Sequence, residues 1–522
     1  MRQTFVKQVL LCVLIALFHA GCSPRLAPKS TSGVSASVYS PKAPLIIGLA
    51  QNPTLRIRVH VPAGSSALRL NKLKLALNSN AVAAIEQIQV FHTATEPGFS
   101  NKNLVATHKP VQEQVEIPLP VAVDPGLNYL WVSATLKPGA DMDKGVQLQA
   151  LAFSDNNGNN YSLVNGLTTE PKRIAIAVRK AWDDSVHTYR IPGVITTDKG
   201  TLISVYDIRY KHSGDLPANV DVGMSRSTDG GRTWQPMQII MDMGAPHENN
   251  GVGDPSILFD PVTKKIWVSA LWSKGNRSIA GSQPGLSPDE TGQFVVVSSP
   301  DDGLTWTAPH SITPQVKNPA WKLFFPGPGN GIAMQNGRLV FPAQYWDAAH
   351  MPHSTLVFSD DHGATWKSGV GAKSNTTEAQ LVETDPGTIM LNMRDNRGRY
   401  RSIATTTDMG KTWTEHHTSY SALPDPVCMA SLIRANVRVD GKLQDVLFFS
   451  NVASQTAREN MSVKASLDMG ETWSDANSLL VDERRSFGYS VLTRIDENTL
   501  GLLYEGERDL YFIRIPVRDI IK

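Results

Sequence analysis

The chain has 522 residues, 41% apolar and 19% charged, with a formal charge of only +2. That length accommodates two domains and a sizeable core, and a balanced charge without a basic run excludes a nucleic-acid partner as the working expectation. Frequent Gly and Pro (39 and 33) and the lack of long 3.6-residue periodicity predict an all-β protein.

Arg2 and Lys7 precede ten apolar residues, Val9 to Phe18, and small residues lead to Cys22. Residues 1–22 read as a secretory signal, too short to span a bilayer comfortably. Ala20-Gly21-Cys22 resembles a bacterial lipobox, which implies a lipid on Cys22, although His19 replaces the aliphatic residue usual there. The protein is therefore expected to be exported, to the periplasm, outer membrane or cell surface, touching membrane only through that anchor. Ordinary cleavage and secretion is the alternative. Without the signal, Cys428 and at most Cys22 are left, so no internal disulfide framework is expected, and Cys428 reads as a small buried residue. Residues 23–42, rich in Ser, Pro and Ala, read as a tether.

Over 43–172 the text turns to short strands. Leu55, Ile57, Val59 and Val61 alternate with Arg56, Arg58 and His60, and similar runs follow at 68–77, 88–92, 115–119, 129–135 and 146–153. Several strands at this spacing predict a β-sandwich, jelly-roll-like, as a separate domain. Tyr129 and Trp131 could offer sugar-stacking faces but read more simply as core aromatics.

The region 173–522 carries five copies of Ser/Thr-x-Asp-x-Gly-x-Thr-Trp, with aspartates Asp229, Asp301, Asp361, Asp408 and Asp468. Asp accepts from amides a few residues on and Gly supplies positive φ, so each box is a hairpin turn, with Thr and Trp starting the next strand. Those carboxylates are occupied as caps. Separations of 72, 60, 47 and 60 residues suit one four-stranded sheet each, and the region has room for roughly six, which predicts a six-bladed β-propeller. The run Gly327–Gly331 lacks the Lys-Ser/Thr of a phosphate loop and reads as a turn.

A propeller gathers distant residues at one end of its axis, so polar residues at strand ends outside the boxes are the candidates. Arg190 lies in Tyr189-Arg190-Ile191-Pro192, Asp215 in a Gly/Pro-bounded loop, and Glu378 in Thr377-Glu378-Ala379-Gln380. Arg394 closes an apolar strand, Arg458 precedes one, Tyr489 follows Gly488, and Glu505 ends another. Asp207 and Asp221 are alternatives to Asp215, and Arg397, Arg399 and Arg401 crowd Arg394. Arg209 and Asp254 are expected to line the site without an assigned role.

Tyr-Arg-Ile-Pro followed by five Asp boxes and an ordered Asp, Glu, Arg, Arg, Tyr series resembles the bacterial exo-sialidases (neuraminidases, glycoside hydrolase family 33) over 173–522. The segment before it is similar to the carbohydrate-binding sandwich that precedes such propellers. The resemblance implies that Arg190, Arg394 and Arg458 clamp the sialic acid carboxylate, that Asp215 is the acid/base, that Glu378 and Tyr489 form the nucleophile pair, and that Glu505 steadies Arg190. It implies sialylated glycans as partners and substrates, and neither metal nor cofactor.

Chemistry suits the residue types. A guanidinium gives a carboxylate two parallel hydrogen bonds, which Lys cannot. An anionic nucleophile would be repelled by a centre that already bears a carboxylate, whereas a neutral phenol is not, and Glu378 can take its proton. A trans-sialidase with the same site, or a non-catalytic glycan-binding propeller, are the alternative readings. A lectin has no use for the Glu–Tyr pair.

Overall fold

The computed structural model describes residues 33–165 and 170–522. The predicted signal, Cys22 and the tether up to residue 32 lie outside the described residues. The protein is all-β: among the described residues its α-helices are the short Ser79–Ala84 and Thr313–Val316.

Six largely antiparallel sheets of at least four strands follow one another along the chain. Their first strands are Thr188–Thr196, Gly251–Phe259, Leu323–Pro326, Thr376–Asp385, Ser431–Val439 and Ser490–Arg494. The sixth sheet is completed by a strand from far upstream: Ile174–Arg179 pairs antiparallel with Leu510–Pro516. Leu45–Ile47, expected within the N-terminal domain, pairs parallel with Ile174–Arg179 instead. Its three residues are all buried, so an exposed edge is covered by apolar side chains.

All five boxes connect the third strand of a sheet to its fourth, and their aspartates are capped as expected. Asp361, for instance, accepts from Ser359 Oγ (2.8 Å), the Thr365 amide (2.8 Å) and Thr365 Oγ1 (2.6 Å). The tryptophans do not start the next strand; the fourth strands begin after them, at Gln238, His310, Lys367, Thr414 and Ser478. Burial of the ring decides this. Trp366 is buried, edge-on to Trp267 of the preceding sheet at 5.8 Å and against Phe341 at 5.5 Å. Gly363 (φ 91°) is required there, because a Cβ would lie 2.2 Å from the Trp267 ring. Each such turn therefore latches one sheet to the one before it.

Gly327–Gly331 is more than a turn: Gly329–Asn330 pairs parallel with Ser256–Ile257. Asn330 Oδ1 accepts from the Val194 amide (3.1 Å), and Nδ2 donates to the Leu492 carbonyl (3.2 Å). One buried amide thus ties together the first strands of three sheets.

Two more sheets precede these. One is ordered Val164–Asn165, Ser35–Tyr39, Asn52–Val61, Gly126–Leu136, Ile85–His92 and Leu104–His108. The other is built on Leu68–Leu77 with Leu148–Asp155 and Gln114–Pro118 as neighbours. Ser35–Tyr39 falls inside the expected tether; it forms a strand because its backbone pairs with 56–60 and Val38 is buried. Trp131 is buried against Phe99, with Arg56 over it, in keeping with a core role. A single apolar cluster runs from Ile57, Leu73 and Val132 to Leu502 and Ile513 of the sixth sheet. Asp143 bridges the same boundary, accepting from Arg514 Nε at 2.8 Å and pairing with Arg232.

Candidate active site

The site stands where first strands begin, and three of these are bulged there. Ladder register breaks between Arg190 and Gly193, between Gly253 and Ser256, and between Thr376 and Ala379. Positive φ accompanies each break, at Ile191, Asp254 and Asn375 (56° in all three). A bulge bends its strand and re-aims the side chain it carries, and Pro is tolerated there because no ladder donor is lost. Arg190, Asp254 and Glu378 all sit at these breaks.

Glu505 is the anchor. Its fully buried carboxylate accepts from Arg190 Nε (3.0 Å), the Ile191 amide (3.0 Å) and the Tyr489 amide (2.9 Å), with Arg190 Nη2 at 3.4 Å. One side chain thereby fixes both Arg190 and the backbone that carries Tyr489. Glu378 makes the second junction: Arg394 Nη1 donates to its Oε2 at 2.7 Å, and the Tyr489 hydroxyl donates to its Oε1 in a short hydrogen bond. Arg394 Nη1 also reaches the Tyr489 hydroxyl at 3.1 Å.

Three guanidinium groups surround that phenol. Those of Arg190 and Arg458 lie 5.2 and 5.8 Å from the ring centre, and Arg394 is bonded to the hydroxyl. Arg458 also holds the strand end, donating to the Phe487 (2.9 Å) and Val427 (3.1 Å) carbonyls. Burial, then the charge of Glu378, push the Tyr489 phenol well above its ordinary pKa, so it is neutral at physiological pH.

Asp215 faces this group from a loop. It accepts from Arg209 Nη1 at 2.7 Å, lies 3.7 Å from Arg190 Nη1, and keeps 79% of its side chain exposed. Partial burial pushes its carboxyl up, but the charges of Arg209, Arg190 and Arg394 outweigh that and hold it below the usual range. Arg209, without a role in the sequence reading, is thus the residue that positions Asp215. Asp207 grips Arg209 in turn (2.8 and 3.1 Å) and accepts from the Asp254 amide; burial pushes Asp207 up to about 6. Burial, then the charges of Asp207 and Glu378, push the Asp254 carboxyl well above the usual carboxylate range.

The sequence alternatives separate cleanly. Asp221 accepts from the Tyr210 hydroxyl at 2.9 Å, and Arg397 pairs with its neighbour Asp395. Arg401 is fully buried, donating to Asn392 Oδ1 and the Cys428 carbonyl. Cys428 is a buried free thiol behind Gly488. A cavity of about 430 Å³ is lined by Asp207, Arg209, Asp215, Asp254, Glu378 and Arg394, with Leu216, Phe325 and Trp346 as an apolar wall. A larger one, about 520 Å³, opens at the opposite ends of the same strands, beside Thr196 and Glu383, and has no phenol–carboxylate pair.

A neutral phenol held by a carboxylate, ringed by guanidinium groups and faced by a separate Asp, is an arrangement that suits glycoside chemistry on an anionic sugar. Residues 211–502 match the BNR repeat-like domain family, and residues 34–159 match the N-terminal domain of BNR-repeat neuraminidase. A sialidase of Bacteroides fragilis (strain YCH46) is 44% identical over 437 residues, 82% of this chain and 80% of that one. A sialidase of Micromonospora viridifaciens is 36% identical over 329 residues, 61% of this chain and 50% of its own. The solved Hadza microbial sialidase Hz136 superposes with a TM-score of 0.86 at 38% identity, over 93% of this chain and all of that one. The chain belongs to the bacterial BNR-repeat sialidases and is, by class, an exo-α-sialidase.

Proposed function

We propose that this enzyme releases terminal α-linked sialic acid from glycoproteins, glycolipids and oligosaccharides, with retention, through a covalent bond to Tyr489. The observation that carries the reading is the Tyr489–Glu378 hydrogen bond, framed by Arg394 and with Arg190 stacked over the ring. Arg190, Arg394 and Arg458 bind the sugar carboxylate; each charge-assisted bond contributes about 1.5–3 kcal/mol. As the phenol attacks the anomeric carbon, its proton passes to Glu378 and the glycosidic bond breaks. Asp215 protonates the leaving oxygen, then takes a proton from the water that attacks the anomeric carbon of the tyrosyl glycoside, while Glu378 returns its proton to the departing Tyr489 oxygen. In the free site Asp215 is ion-paired and ionised, so its acid role begins when the substrate carboxylate draws on the same arginines and closes out water.

The six consecutive sheets, closed by Ile174–Arg179, act as the blades of a six-bladed β-propeller, and the two N-terminal sheets as a β-sandwich domain. Export through residues 1–22, with a lipid on Cys22, suits an enzyme whose substrates are extracellular glycans. Digestion of isomeric sialyllactoses followed by NMR tests the chemistry: the α-anomer of free sialic acid should appear first. A β-anomer first would remove the tyrosyl intermediate. A product bearing sialic acid on a second glycan would make the enzyme a transferase, and no release at all would leave a glycan-binding protein.

A further inference from the structure

Away from the cavity, the loop leaving the fourth sheet meets the turn of the fifth Asp box. His416 and His417 follow the strand Thr414–Glu415, and Glu471 lies between Gly470 and Thr472 of the box. His416 Nε2 is 3.3 Å from Glu471 Oε1, and His417 Nε2 is 2.8 Å from Oε2. All three groups' ligand atoms lie within 4.8 Å of one another. Side chains of consecutive residues in a strand point to opposite faces. Here the chain turns at 417–420, and both imidazoles offer the same ring nitrogen to one carboxylate, their centres 4.5 Å apart. The matching position in the other boxes is Arg232, Leu304, Ala364 or Lys411, none of them a carboxylate. His416 Nδ1 lies 2.7 Å from Thr418 Oγ1, the kind of outer contact that orients an imidazole ligand.

We infer that His416, His417 and Glu471 form a binding site for a divalent transition metal, with Zn²⁺ the ion that fits. Imidazole nitrogen and carboxylate oxygen bind zinc at about 2.0–2.2 Å, so neighbouring ligand atoms around a tetrahedral ion stand roughly 3.3 Å apart. The 3.3 Å from His416 Nε2 to Glu471 Oε1 matches that edge, while His417 Nε2 meets the other oxygen, Oε2, at 2.8 Å, so a rotation of the carboxylate and of His417 is needed to set all three ligand atoms around one ion. Two imidazoles exclude Ca²⁺ and Mg²⁺, which take oxygen ligands. Water fills the fourth position. As plain ion pairs these contacts would contribute little, because His417 and Glu471 are each 61% exposed. A bound ion instead clips a loop of the fourth sheet to the box turn of the fifth.

Untagged full-length protein, dialysed free of metal, is titrated with ZnCl₂ by calorimetry, with Co²⁺ absorption reporting ligand geometry. The expected result is one equivalent per chain, a tetrahedral Co²⁺ spectrum and a raised unfolding midpoint. His417→Ala and Glu471→Gln should each bind zinc about tenfold more weakly or worse. Both positions are exposed, so circular dichroism and sialoside turnover should match the parent protein. Unchanged zinc affinity in both variants, or no heat and no midpoint shift in the parent, overturns the site.

Discussion

Replacing Tyr489 by Phe separates what holds the site together from what makes it react. The substitution removes two hydrogen bonds, one from Arg394 Nη1 at 3.1 Å and one to Glu378. It leaves the Glu378–Arg394 pair at 2.7 Å and the ring under the Arg190 and Arg458 guanidinium groups at 5.2 and 5.8 Å. The ring occupies the same space, so no cavity opens. At about 0.5–1.5 kcal/mol net per hydrogen bond, the stability loss should be about 1–3 kcal/mol, a melting shift of a few degrees. Turnover should respond on another scale: without the nucleophilic oxygen, kcat on a fluorogenic sialoside should fall at least about a thousandfold, or ~4 kcal/mol at the barrier. Sialic acid binding should survive in part, since the arginines are untouched. Steady-state kinetics, calorimetric binding and a thermal melt on one preparation would test all three. Turnover within about tenfold of the parent would refute the reasoning outright, and a collapsed melting curve would reduce the loss to a folding defect.

Asp215→Ala should spare a substrate with a good leaving group far more than a natural glycan; equal losses in kcat/KM on the two would move the acid role to another carboxyl group. Gly363→Ala should destabilise by about 2–5 kcal/mol, combining a strained φ of 91° with a Cβ 2.2 Å from the Trp267 ring; an unchanged denaturation midpoint would discredit the latch described for the boxes. Burial and the nearby Asp242 push Asp221 up to about 6, well above its unfolded value. The folded state therefore holds the extra proton, and this carboxyl makes stability fall as pH rises from about 4 to 6, by at most about 3 kcal/mol. Asp221→Asn should flatten stability over that window, as read by urea denaturation at a series of pH values. An identical slope in the variant would contradict the shift.

Much of this was legible before any coordinates. The box aspartates announce themselves because a capped turn needs fixed residues at fixed offsets. Glu378 and Arg394 could be placed because they stand 16 residues apart at the open end of one hairpin, near the start of its first strand and the end of its second. What escaped is long-range. Nothing local to Leu45–Ile47 shows that it joins the sixth sheet, because a short apolar run fits any buried edge. Asn330 looked like part of an idle turn, since its partners Val194 and Leu492 are distant in sequence. Arg209 acquired its task only when its fork was seen on Asp215 and Asp207 together. Propensity favours the box tryptophans as strand residues, but their rings are half-buried or, at Trp366, fully buried against a neighbouring sheet, and the strands begin after them.

The seam that joins Ile174–Arg179 to Leu510–Pro516 has a consequence for how the enzyme matures. Glu505 belongs to that same sheet and Tyr489 directly precedes one of its strands, so on the mechanism proposed above a chain emerging from the ribosome should assemble five sheets and still be catalytically silent. On that mechanism, competence should arrive late, when the last-made strands find a partner synthesised hundreds of residues earlier. A nick that frees those strands should switch the enzyme off while leaving most of its mass folded.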